Sequence, residues 1–467
     1  MIYEDTYFLN PQMALEEASK QNRWGENDYY LQACYYDGEI IESALSNLIH
    51  TSLDNLVEEL AEGVYRIPTK LDFSGLDLSA SLKLEILTNF NLSIEHAKNY
   101  REQYNKHYLE ILRAQVLDQN EPLRFYLMAS VSTQVMQYVA KSIADELKVQ
   151  GYNVFFDLRA GAEDNDCLRN VLAFNPHAMI TINHLNNAFL SPDVYNFVWY
   201  QDAMPALVSD AKLALRERDY IYSLVPSLDK LLEKKGVDYE RQSFCLNNVI
   251  YKLDDTIKRE NKIVFIGSSY SGMIPENQDF ETAIEYITKI FFSEAKISDN
   301  TAEEISDKFD INEDFVKTKL IPFVVRDLSV IQLCRLKSEY SVEIYGHGWE
   351  LYKEVVPFYK GPLPYGEEIA KVYNSAMYAF APHQQYILQQ RVLEASACGA
   401  IPIVYDCREI VDDSYEEAVV YFKTFEDLAK IMIREVPQKD FTRLLFENSY
   451  KKFVDKIIQR VEKERAK

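Results

Sequence analysis

The spacing of apolar positions changes near residue 118. Over 42–60 and 94–116 the apolar residues recur at three- and four-residue intervals among glutamates, so residues 1–118 read as a mainly helical extension. Asp118-Gln-Asn-Glu-Pro122 breaks that pattern. Beyond it, short apolar runs alternate with amphipathic stretches. Segments 123–131, 152–157, 178–183, 197–201 and 220–224 read as strands, and 133–150 reads as a helix stopped by Gly151. Strands that are apolar almost throughout belong to parallel sheets covered on both faces, which predicts an open α/β domain over 119–255.

The alternation restarts after the charged stretch Asp254-Asp-Thr-Ile-Lys-Arg-Glu-Asn261. A strand over 262–267 runs into Gly267-Ser268-Ser269. Helices are expected over 281–293, 315–336 and 388–398, the last closed by Gly399, and strands over 342–345, 378–381 and 401–405. The second α/β domain therefore spans 256–437, and 438–467 forms a charged C-terminal helix that either packs back across the first domain or is a solvated tail. Two consecutive α/β domains predict a ligand cleft at the carboxyl ends of their strands.

Composition narrows the function classes. A chain of 467 residues exceeds what one core supports, and 47% hydrophobic with 26% charged residues is a globular balance. The formal charge of −23 disfavours a general nucleic-acid or membrane-surface role, so any phosphate site must be local. No apolar run approaches the roughly 20 residues of a membrane span, and the first residues lack a signal-peptide pattern, so a cytoplasmic location is expected. The six cysteines are scattered, with no metal-site spacing, and read as reduced, mostly buried thiols. The 33 tyrosines are either stacking surfaces for sugars or a compositional bias.

The sharpest constellation is the strand Tyr378-Ala-Phe-Ala-Pro382, the loop from His383, the helix carrying Arg391 and Glu394, Gly399, and the strand Ile401-Pro-Ile-Val-Tyr405. Unpaired N–H groups and a positive dipole at such a helix start stabilise a diphosphate. Arg391 would meet phosphate and Glu394, at i+3, ribose hydroxyls. The same spacing also describes an ordinary exposed ion pair.

Arg391-Val-Leu-Glu394-Ala-Ser-Ala-Cys-Gly399-Ala-Ile-Pro-Ile-Val resembles the R-x-x-E-x-x-A-C-G-A block of the "glycosyl transferases group 1" C-terminal domain, especially the CgeB-like spore-maturation branch. Ile344-Tyr-Gly346-His347-Gly348-Trp349, then Tyr359-Lys-Gly361 and Val372-Tyr373-Asn374-Ser375-Ala376, is similar to that family's G-x-G-W, strand-Gly and I-Y-N-x-A progression. The likeness covers about 340–430. It implies a GT-B glycosyltransferase, with two Rossmann-like domains facing a cleft. The donor would be a nucleotide sugar, UDP- or GDP-linked, with no separate cofactor and no catalytic metal; the acceptor would be a glycan or protein hydroxyl. It further implies that Glu394 holds the ribose, that Arg391 and the 383–390 loop approach the diphosphate, that Gly361, Pro362 and Leu363 cradle the base, and that Gly267, Ser268 and Ser269 form a second phosphate-facing turn.

One position departs from the pattern. Many retaining enzymes of this fold carry a glutamate eight residues before the ribose-binding one, where this chain has Tyr386. That favours inversion, which needs a general base from the first domain. His184 and Asp202, at strand ends, are the candidates; alternatively His184 caps a loop and Asp202 opens a helix. His347, between glycines, is a site candidate. His383 either touches the donor or hydrogen-bonds its own loop. Asp164-Asn-Asp166 has the letters of a metal-binding D-x-D motif and reads as a helix N-cap. A homo-oligomer through the N-terminal region is a further expectation. The rivals are a nucleotide-sugar epimerase of the same fold and a non-catalytic binding or assembly protein.

Overall fold

The computed structural model describes residues 5–24, 32–130, 133–159, 167–275, 278–291, 300–384, 386–409, 414–433 and 436–466. The chain divides into two compact units, Met1–Gln242 with Val454–Lys467, and Ser243–Phe453.

In the first unit, strands β1 (Thr6–Phe8), β2 (Cys34–Tyr36), β3 (Leu48–His50) and β4 (Lys70–Asp72) form a four-stranded parallel sheet in the order β3-β2-β1-β4. Residues 1–118 are mainly helical, as their spacing indicates, but this sheet was not read from the sequence. Strands of three residues are too short to show a two-residue alternation, so the helical spacing around them dominated. The segment 42–60 is a strand followed by the helix Leu53–Glu62, which starts where the Ser52 hydroxyl accepts from Asn55 N at 3.3 Å. The helix Ala80–Ala114 runs further toward the N-terminus than its periodicity indicated, burying Phe90, Ile94 and Ala97 against that helix and sheet.

A second sheet in the same unit comprises β5 (Arg124–Ser130), β6 (Asn153–Arg159), β7 (Ala178–Ile182), β8 (Tyr195–Tyr200), β9 (Asp219–Ser223) and β10 (Tyr239–Arg241), in the order β10-β9-β8-β7-β5-β6. All its pairs are parallel, and β7 and β8 are buried along their whole length. Their side chains are apolar with few exceptions because helices cover both faces. The chain order reverses between β5 and β7, so the switch point of this sheet lies there. The C-terminal residues Val454–Lys467 join this unit through buried Val454, Ile457 and Val461, with Lys456 paired to Glu240 at 2.8 Å.

The second unit holds β11 (Glu260–Ile266), β12 (Ser341–Tyr345), β13 (Tyr359–Gly361), β14 (Ala376–Ala381), β15 (Ile401–Tyr405) and β16 (Val420–Phe422) in the order β13-β12-β11-β14-β15-β16. Renumbered within the unit this is 3-2-1-4-5-6, the dinucleotide-binding order, with its switch point between β11 and β14. The α/β class and the two Rossmann-like units are those the sequence predicts. The crossover from β11 to β12 ends in a helical run from Glu313 to Arg335, in which π-turns Val316–Leu320 and Val324–Leu328 interrupt the α-helix.

Arg259, just before β11, ties this sheet to the helix Gln390–Ala397. Its guanidinium donates to Ala376 O at 2.7 Å and Cys398 O at 2.8 Å, satisfying carbonyls left open at the ends of the helices Glu367–Ser375 and Gln390–Ala397. Arg259→Ala is expected to lower unfolding free energy by about 2 kcal/mol, measured by urea denaturation, because two half-buried carbonyls lose charged donors.

Candidate functional site

The site is built at the switch point of the second unit. β11 ends in Gly267, and the following turn Gly267-Ser268-Ser269 is pinned by the end of β12. Gly267 N donates to Tyr345 O at 2.9 Å and Ser269 N to His347 O at 2.8 Å. The indole of Trp349, fully buried, donates to Gly267 O at 2.6 Å and packs edge-on against Phe265. The two backbones approach so closely that a Cβ on Gly346, whose φ is +128°, would meet Gly267 O at 2.2 Å. The glycine and tryptophan of the Gly346-His347-Gly348-Trp349 motif thus fix the turn. His347 contributes its backbone, while its side chain is exposed.

Two guanidinium groups converge on that turn from different helices. At Gly267 a Cβ would meet Arg326 Nη2 at 2.3 Å and Arg391 Nη2 and Nη1 at 3.0 and 3.1 Å. Only glycine leaves them this space. Among the described residues neither arginine pairs with a carboxylate within 4.0 Å, and Arg326 Nε and Arg391 Nη1 are buried without a hydrogen-bond partner. Both cations rest on ring faces instead, Arg391 5.3 Å and Arg326 5.5 Å from the Phe265 centroid, with Arg326 also 4.2 Å from that of Tyr270. Burial, then the charge of Arg391, pulls Arg326 down to about 10, so it stays charged at neutral pH.

Arg326 was not singled out in the sequence reading. Its signal was there: Arg326-Asp327 is the only charged pair in the apolar run Ile321-Pro-Phe-Val-Val-Arg-Asp-Leu-Ser-Val-Ile331. The π-turn Val324–Leu328 that carries it is a geometry often found at functional sites.

His383 follows β14 by two residues. Burial, then the charges of Arg326 and Arg391, pushes its imidazole down to about 3, which keeps it neutral, and its ring lies 3.9 Å from that of Tyr386. Glu394 is 4% exposed, so the helix does not carry a solvated Arg–Glu pair. Its Oε1 accepts from Tyr365 Oη at 2.9 Å and Gln390 Nε2 at 3.2 Å. Asn374 of the second motif is structural: buried, it accepts from Asp254 N at 2.8 Å and donates to Lys252 O and Ala370 O, each at 3.0 Å. Gly361, with Pro362 and Leu363 after it, ends β13 at the sheet edge, Gly361 O accepting from Gly346 N at 3.2 Å.

The candidates of the first unit lie at strand ends. Asp202, exposed after β8, has its Oδ2 held by Asn183 Nδ2 at 2.8 Å; the Asn183 carbonyl in turn accepts from Gln201 N and Asp202 N. His184 follows β7, and its backbone carbonyl accepts from Thr181 Oγ1 at 2.6 Å. Asn183, at φ 66°, orients Asp202 and was not predicted. Asp164-Asn-Asp166 and Gln385 lie outside the described residues.

Residues 326–459 match a family model described as glycosyl transferase-like, a match that starts at Arg326 and takes in Arg391 and Glu394. No curated protein is significantly similar to the chain. Among solved structures, AviGT4, a glycosyltransferase involved in avilamycin A biosynthesis, is 13% identical, covering 74% of this chain and 98% of its own with a TM-score of 0.46. Sucrose-phosphate synthase from Thermosynechococcus elongatus is 11% identical, covering 74% and 99% with a TM-score of 0.44. WaaG, a glycosyltransferase involved in lipopolysaccharide biosynthesis, is 11% identical, covering 71% and 95% with a TM-score of 0.33. All three are distant.

Burial raises the Glu394 carboxyl from 4.5 to about 7. The native state therefore holds a proton that the unfolded chain has lost between those values. Its stabilising effect is complete below about 4.5 and is lost as pH rises through about 7. Burial likewise raises Asp327 from 3.8 to about 6, with the same sign in a lower window. In urea titrations across pH, wild type is expected to lose stability relative to Glu394→Gln at up to about 1.4 kcal/mol per unit between about pH 5 and 7. The stretch bearing Arg326, Arg391 and Glu394 is thus the part of this chain that is similar to glycosyl transferases.

Proposed function

We propose that the chain is a GT-B glycosyltransferase that moves a sugar from a nucleotide donor, UDP- or GDP-linked, to a hydroxyl of a glycan or protein. The observation that carries this reading is the convergence of Arg326 and Arg391 on Gly267, with the buried carboxylate of Glu394 one helical turn beyond Arg391. Two guanidinium groups that make no ion pair within 4.0 Å among the described residues suit a diphosphate, and a carboxylate that accepts hydrogen bonds suits a pair of ribose hydroxyls. The helix Gln390–Ala397 begins at the same place and adds its N-terminal dipole.

In this reading the departing nucleoside diphosphate develops charge where the two guanidinium groups already point, so its stabilisation needs no rearrangement. His383, neutral, contributes a hydrogen bond rather than a charge. Tyr386, its ring tilted against that of His383, stands where retaining relatives of the resembled family carry a glutamate, which supports inversion. Of the two base candidates Asp202 is favoured, because its carboxylate is exposed and oriented by Asn183. The likeness of the 340–430 motifs supports placement in the CgeB-like branch. The cytoplasm is the proposed compartment: all six cysteines are buried and none is in a disulfide.

A thermal-shift screen of UDP, GDP, TDP and CMP sugars tests the donor assignment, since a ligand that binds only the native state raises its stability. Glu394→Ala is expected to abolish the shift, and Arg326→Ala and Arg391→Ala each to weaken binding about tenfold or more through loss of charged hydrogen bonds. Binding that survives Glu394→Ala unchanged overturns the assignment. Release of free sugar without acceptor identifies an epimerase, and affinity for no nucleotide at all leaves the non-catalytic reading standing.

A further inference from the structure

Asp327 follows Arg326 in the chain and is fully buried, yet it forms no ion pair with its neighbour. Its oxygens go to the turn after β11. Oδ2 accepts from Ser269 Oγ at 2.6 Å and from Tyr270 N at 2.9 Å, Oδ1 lies 3.2 Å from the same N–H, and Tyr352 Oη reaches Oδ2 at 3.3 Å. Ser269 Oγ in turn accepts from Ser271 N at 3.0 Å, with Ser271 Oγ at 2.9 Å. One carboxylate therefore gathers the hydroxyls and amide of the segment that continues the Gly267-Ser268 turn.

The neighbour profits from this arrangement. The Tyr270 backbone is held by Asp327, and the Tyr270 ring lies 4.2 Å from the Arg326 guanidinium. Consecutive residues of one π-turn thus act on the same loop, Asp327 by holding its backbone and Arg326 by resting its cation on the ring that backbone carries. Because Asp327 spends its acceptors on the turn, it attracts Arg326 without pairing with it directly, and the guanidinium stays turned toward Gly267.

We propose that Asp327 is a positioning residue of the anion seat, fixing the Ser269–Ser271 turn and the Tyr270 ring so that Arg326 and the Gly267-Ser268 backbone meet a diphosphate in register. This inference rests on the donor-site reading above and adds to it a residue that touches no ligand. It differs from a purely structural role in one measurable way: a positioning residue affects the phosphate part of a ligand, not its nucleoside part, which Glu394 engages elsewhere.

The test compares the full-length wild type with Asp327→Ala and Asp327→Asn by calorimetric titration and competition. The probes are whichever of UDP, GDP, TDP or CDP binds wild type, and the corresponding nucleoside. Asp327→Ala is expected to weaken the diphosphate about tenfold or more while changing nucleoside affinity by less than about twofold, and Asp327→Asn, which keeps one acceptor oxygen, to lose less. If Asp327→Ala does not fold, Asp327→Asn carries the comparison alone, with a loss of at least about threefold expected for the diphosphate only. Unchanged diphosphate affinity in the folded variants, or parallel loss of both ligands, overturns the proposal and leaves the donor site intact. A wild type that binds no nucleoside diphosphate removes the donor-site reading and this inference with it.

Discussion

Two positive groups brought to one glycine without a carboxylate between them are the constraint around which the second unit is arranged. Like charges in a buried setting repel strongly, and each guanidinium carries desolvation cost that an ion pair would offset. The protein offsets that cost by resting both on aromatic faces, Phe265 and Tyr270, which leaves buried N–H groups of each unbonded. Such groups are expensive to leave unmade, so the arrangement favours an anion that completes them.

The surrounding structure keeps that geometry from relaxing. Trp349 holds Gly267 O, Gly346 lies against the same carbonyl, and Asp327 collects Ser269 and Tyr270. Glu394 belongs to the same order by a different route. Burial raises its proton affinity against the opposing hydrogen bonds of Tyr365 and Gln390, so the carboxylate that suits a ribose is costly to keep charged. The site thus sets stabilising hydrogen bonds around buried charges that cost stability, a familiar pattern where function and folding compete for the same residues.

Much of this was legible in the chain. Nine strands of the two six-stranded sheets lie close to their apolar runs, because strands buried on both faces write continuous hydrophobic segments into the sequence, while the three-residue edge strands β10, β13 and β16 were not read. The helix with Arg391 and Glu394, stopped at Gly399, was readable from its flanking strands and motif. The N-terminal sheet was not, since three-residue strands such as Cys34–Tyr36 carry no period of their own. Arg326 and Asp327 were hidden for another reason: a π-turn shifts the facing of a helix, so side chains that periodicity places on different sides can act on one loop.

The sequence by itself determined the α/β class, the alternation of elements and the residue types able to hold a nucleotide, because burial and turn chemistry act over a few neighbours. Only the tertiary structure decided which of those residues meet. It carried Arg326 to Gly267 from 59 positions along the chain, it buried Glu394 where an exposed pair was equally compatible with the spacing, and it reduced His347 to a backbone contact. Those outcomes depend on sheet order and on the closeness of two backbones at Gly267 and Gly346, and neither is encoded in local pattern.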